Sequence, residues 1–167
     1  MQLDEFFDYK NKLMKDLCNS EEIVKLLTRK TDVTVPDTSL IYKQIFPYEF
    51  IPDTVDKAKT YICFDVDIIS VPNQTYYYPA LYIWVFTHKS NMRTDGGGIM
   101  TDKVCVEINN ILNGNRTYGL GKLDLYSVDR FSPADDYLGR VLSYSAIDFN
   151  RDSRYKHPLP ANRKKGL

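Results

Sequence analysis

Asp65 and Asp67 are the residues best spaced for chemistry in this chain, because positions i and i+2 on a strand put both carboxylates on one face, where they can hold Mg²⁺ for phosphodiester cleavage. A strand-based nuclease of that kind also wants a Glu-x-Lys on the next strand, and Leu81 to Lys89 carries no acid. The pair therefore reads as a solvated or interface-facing strand surface. His88 closes a strand and His157 lies near the C-terminus; neither has a second His or Cys at metal-ligand spacing, and no Gly-x-Ser-x-Gly elbow places a nucleophile. Thr94-Asp95-Gly96-Gly97-Gly98 runs into a helix, where backbone amides can cradle a phosphate. Here, however, Ile99, Met100 and Thr101 follow instead of Gly-Lys-Ser/Thr, and Asp95 repels an anion. Cys18, Cys63 and Cys105 lie more than 40 residues apart with no Cys-x-x-Cys pair and read as small core residues. The expectation is a protein with no catalytic residues, no metal and no cofactor.

What remains for these residues is contact with other proteins. The stretch Lys89 to Gly98 reads as a mobile, protruding loop with Lys89, Asn91, Met92 and Arg93 at its tip and Asp95, Gly96 and Gly97 beside them, all candidate partner contacts. Aromatics reach 13%, with 13 Tyr against 8 Phe, which suits half-buried surfaces where a ring packs and its hydroxyl stays wet. Tyr76, Tyr77, Tyr78 and Tyr82 are the subunit-interface candidates on that ground. Charge is also uneven: the last 17 residues hold six Lys or Arg against Asp152, so a +5 arm, residues 151–167, follows a body of −5, residues 1–150. Arg151, Arg154, Tyr155 and Lys156 extend the interface set into that arm, which Pro158 and Pro160 keep extended. A lone stacking aromatic makes the arm a poor reader of DNA, so it is expected to strap onto the acidic body of a neighbouring subunit or an adjoining ring protein.

The elements that must position these residues follow from periodicity. Leu3, Phe6, Phe7, Leu13, Met14 and Leu17 recur near 3.6 residues and predict an amphipathic helix; in Asn19-Ser20-Glu21-Glu22 a capping residue and first-turn acids then start a second, short one carrying Ile23, Leu26 and Leu27. Prolines 36, 47 and 52 leave 31–52 as an ordered, partly buried connection. Alternation predicts a half-buried strand over 61–71, and apolar residues on both faces predict a doubly covered central strand over 78–88. Met100, Val104, Ile108, Ile111 and Leu112 make a third helix stopped by Asn113-Gly114; strands over 123–130 and 139–149 follow, split by a turn at 132–136. Tyr118-Gly119-Leu120-Gly121 reads as a backbone requirement, with one or both glycines at positive φ.

The resulting order predicts an α+β fold: a mainly antiparallel sheet of about four strands, as hairpin, helix and hairpin, packed by the N-terminal helices and followed by the arm. The length of 167 residues matches one domain, 1–150, plus that arm. No apolar run approaches the roughly 20 residues of a membrane span, and the acidic, amphipathic N-terminus does not resemble a signal peptide.

Several stretches together carry a resemblance. They are Leu112 to Gly121, Tyr137 to Leu142 leading to Ile147-Asp148-Phe149-Asn150, Tyr48 to Pro52, Phe64 to Asp67, and Phe86 to Lys89. Over about residues 40–150 the chain resembles the neck and tail-terminator proteins of long-tailed bacteriophages. The resemblance implies a non-enzymatic virion protein, made in the bacterial host cytoplasm, that forms a ring with itself, usually hexameric. Such a ring caps the tail tube and joins it to the head connector, with tail-tube and connector proteins as partners and DNA passing through without sequence-specific binding. A head-completion or stopper protein of the connector is the alternative within this class; a small metal-dependent nuclease is the alternative from another. The two-helix start and the basic arm depart from the family's pattern.

Overall fold

The computed structural model describes residues 5–52, 58–72, 75–118 and 121–149, with only the backbone of Phe6, Asp148 and Phe149. Helix α1 (Glu5–Asn19) buries Leu13, Met14 and Leu17 of the expected stripe together with Tyr9, whereas Phe7, expected on that stripe, is exposed. Helix α2 (Glu21–Thr28) starts where the Ser20 hydroxyl accepts from the Ile23 amide at 3.4 Å, and buries Ile23, Val24 and Leu27. It ends at Arg29, which takes a left-handed φ of 56°. Strand β1 (Ile45–Phe46) precedes the hairpin of β2 (Thr60–Ser70) and β3 (Tyr76–His88). Helix α3 (Met100–Leu112) buries Met100, Val104, Ile108 and Leu112, four residues apart. Strands β4 (Asp124–Ala134), β5 (Tyr137–Ser145) and β6 (Asp148–Phe149) complete the fold.

The sheet runs β1-β2-β3-β5-β4, antiparallel except for β1 beside β2, and β6 pairs with the start of β3. It is therefore the expected α+β architecture, with two short strands added. Because β5 lies between them, β3 and β4 run parallel, and α3 makes the crossover between them on one side of the sheet. All three helices contribute to one core on that side, together with Ile62, Phe64, Leu81, Ile83, Val85, Leu142 and Tyr144. Buried Gln44 ties this layer to the sheet, its amide donating to the carbonyls of Leu27 at 3.0 Å and Thr60 at 2.9 Å.

Four expectations change. Strand β2 is not half-buried throughout, because Phe46 and Phe50 cover Tyr61 and Cys63 on its second face. Strand β3 is covered on both sides only toward its C-terminal end, since Tyr82 and Trp84 stay half-exposed. The turn expected at 132–136 narrows to Asp135 and Asp136, because the irregular pairing between Phe131 and Ala134 absorbs Ser132 and Pro133 into β4. The strand expected over 139–149 is likewise interrupted at Ala146 and Ile147, between β5 and β6. No helix among the described residues is long and apolar enough to cross a membrane.

Candidate assembly surface

Side chains alternate across a sheet, so the strand register assigns the paired residues of β2 to β5 to the helix-covered face or to the opposite, open face. Tyr76, Tyr78, Tyr82 and Trp84 of β3 fall on the open face, beside Asp65 and Asp67 of β2, Val141, Ser143 and Ser145 of β5, and Asp124, Ser127 and Asp129 of β4. One end of this face is roofed: Phe46, Phe50, Tyr61, Phe86, Phe131 and Tyr137 form a second apolar cluster, with Phe46 and Phe50 stacked at 4.0 Å between centroids. Half-buried Trp84 packs against the edge of that cluster; beyond it the face is open, and there Tyr82 stacks on the Trp84 ring at 6.1 Å. Tyr76, Tyr78, Arg116, Lys122, Asp124 and Ser145 line a cleft of about 630 Å³ at its border.

Charge is sorted between the faces. On β2 to β5 every aspartate, Asp65, Asp67, Asp124 and Asp129, lies on the open side, whereas both arginines, Arg130 and Arg140, lie on the helix side. There Arg140 meets Asp102 of α3 at 3.1 Å. Two of the four aspartates are ion-paired, Asp65 with Lys10 at 2.6 Å and Asp124 with Lys122 at 2.5 Å. Among the described residues, exposed Asp129 accepts only the Ser127 hydroxyl, at 2.7 Å, and exposed Asp67 has no cation partner.

Of the expected interface residues, Tyr76, Tyr78 and Tyr82 sit on this surface. Tyr77 does not: it points to the helix side and is 6% exposed within the main core, so it is a core residue. Its odd position, shared with Leu81, Ile83 and Val85, was the available signal. Arg151, Arg154, Tyr155, Lys156 and the whole arm, like His157 and Gly119, lie outside the described residues.

The loop after β3 is a second, separate surface, at the far end of a strand roughly 40 Å long. Its expected tip is its base. Lys89 to Asn91 form a 3-10 turn capped by His88, whose Nδ1 accepts from the Ser90 amide at 3.2 Å. The Arg29 guanidinium donates to the carbonyls of Asn91 and Arg93. The Met100 amide donates to the Met92 carbonyl at 2.8 Å, and Arg93 bridges to Ile99. The exposed apex is instead Asp95, Gly96, Gly97 and Gly98, where Gly97 and Gly98 take φ of 79° and 91°. A hollow of about 180 Å³ beside it is lined by Lys25, Arg29, Lys30 and Lys103 with Glu22 and Asp95.

Of the chemistry-bearing residues, Asp65, His88 and the three cysteines are occupied structurally. The Lys10 ammonium and the Val66 amide, at 2.7 Å, both engage Asp65. The His88 ring meets Tyr137 edge-on at 5.4 Å. All three cysteines are buried, and burial pushes the thiols of Cys63 and Cys105 up to about 12 and that of Cys18 to about 11, so none is a thiolate near neutral pH. Among the described residues no three of His, Cys, Asp or Glu cluster as a metal site. Gly121 is a backbone requirement as expected, with φ of 83° and a Cβ position 2.4 Å from the Ile147 carbonyl oxygen. Gly139 is one that sequence reasoning missed: a Cβ there would lie 2.0 Å from the Val85 oxygen.

A family model described as YomW matches residues 20–146, about three quarters of the chain. No curated protein matches it.

Proposed function

The chain belongs to the YomW family, a family of Bacillus phage-region proteins, and on that premise we propose that it is a structural subunit of a phage particle, a tail-terminator-like ring protein of the neck. In this role it caps the tail tube, joins it to the head connector, and catalyses no reaction. The observation that carries the reading is the open end of the sheet: a face bearing Tyr76, Tyr78, Tyr82 and Trp84 that the chain's own helices leave uncovered. Half-exposed aromatic side chains are what protein interfaces enrich, and a face so different from the helical side favours head-to-tail contacts that close into a ring. The neutral, buried thiols and the Lys10-bound Asp65 fit a structural role better than the nuclease alternative. The test is to delete the gene from the phage and examine lysates by electron microscopy. Full heads and complete tails that fail to join are expected; normal virions lacking only a nucleolytic step would overturn the proposal.

A further inference from the structure

The open face and the basic arm are complementary in kind. All four aspartates of strands β2 to β5 collect on that face beside two tyrosines and the Tyr82–Trp84 stack, and Asp67 and Asp129 have no cation partner among the described residues. The arm carries Arg151, Arg154, Lys156, Arg163, Lys164 and Lys165 against one acid. Carboxylates set among aromatic rings bind guanidinium and ammonium groups twice over, by charge-assisted hydrogen bonds and by contact with the ring faces. We propose that the open end of the sheet is the receptor for residues 151–167 of the next copy in the ring, with Asp67 and Asp129 as its charge anchors and Tyr82 and Trp84 as its aromatic floor.

Direction favours the neighbour's arm over the chain's own, and reach permits it. Strand β6 pairs antiparallel with Tyr76–Tyr77, so the chain at Phe149 heads toward the β2–β3 turn, away from the face it would have to reverse onto. From Asn150 to Leu167 an extended chain spans about 60 Å, against roughly 20 Å across the four strands of the face. That reach crosses to another subunit, and each copy both gives an arm and receives one, so avidity accumulates around a closed ring.

The inference rests on the ring reading, and a charge-swap experiment on the full-length chain separates the two. One variant carries Asp67→Arg and Asp129→Arg; a second carries Arg151→Glu, Arg154→Glu, Lys156→Glu and Lys164→Glu. Melting curves confirm folding, sedimentation velocity gives the assembly state, and gel retardation reports DNA binding. Each variant alone should associate at least about tenfold more weakly than the unaltered chain, and an equimolar mixture should restore association, because each reversed face then meets a reversed arm. An unaltered chain that is monomeric at every concentration defeats both the ring and the arm assignment. A ring that both variants form normally defeats the arm assignment alone. Weak variants that mixing does not rescue mean that the arm docks on its own subunit. Unchanged assembly with lost DNA retardation by the arm variant means that the arm serves nucleic acid; either outcome overturns the proposal.

Discussion

The two faces of the sheet are built from the same strands, yet one is finished and the other is not. On the helix side three helices bury Phe64, Leu81, Ile83, Val85 and Leu142 to 1% exposure or less, and an ion pair of Arg140 with Asp102 links sheet to helix. On the open side only the end near Phe86 is sealed, by aromatic rings from β1, the segment after it and the β4–β5 hairpin. Beyond Trp84 the surface turns to Tyr, Ser and Asp. Stability thus resides in the covered face and the roofed end, and the open end is free to be chosen for contact.

That division can be broken most sharply with a pair of truncations. Phe64→Ala on the covered face and Phe86→Ala under the roof should each cost about 3–5 kcal/mol, read as a fall in the denaturant midpoint. A loss below about 1 kcal/mol for Phe86→Ala would mean that the roof is not a true core. Next come the glycines that let backbones approach. Gly139→Ala and Gly121→Ala should each cost on the order of 2–3 kcal/mol, since the new Cβ meets backbone oxygen in both places.

A pH effect of intermediate size should mark the covered face. Burial raises the phenol of Tyr9; it also raises those of Tyr118 and Tyr144, and a 2.7 Å hydrogen bond to Asp16 adds to the shift at Tyr118. Their folded pKa values lie above the ordinary 10, so their contribution to stability is complete below pH 10 and is lost as the unfolded chain alone ionises above it. Melting temperature should hold to about pH 8, begin to fall above pH 9, where the three buried thiols ionise in the unfolded chain alone, and fall further by pH 11, with a shallower fall in Tyr144→Phe. The smallest effect belongs to the open end: Val141→Ala should cost less than about 1 kcal/mol, although its neighbour Leu142 is wholly buried. A larger loss would show that this end carries stability after all.

The covered face was legible in the sequence because helical and strand periods both announce it: the α1 and α3 stripes, the Ser20 cap, and the run Ile62, Phe64, Val66 repeat at fixed spacings. The open face was half legible. Alternation placed Asp65 and Asp67 together, but Asp124 and Asp129 join them only through a register shifted by the irregularity between Leu125 and Ser127, which composition does not encode. The roof was missed because the proline-broken segment 45–50 has no period, and its cover over Tyr61 is a tertiary choice. Gly139 gave no signal, since its constraint is a neighbouring strand's backbone and not a positive φ. The loop's apex was misplaced because Arg29, 62 residues away from Asn91, holds its base.

The central claim is that the open end of the sheet exists to be covered by another copy. Native mass spectrometry of the purified full-length chain over a concentration series, paired with negative-stain images, tests it most directly. The account predicts a closed ring, with a mass of about six times the 19.4 kDa chain and a central opening. A single species at the mass of one chain, unchanged at every concentration and in the presence of purified tail tubes, would contradict it.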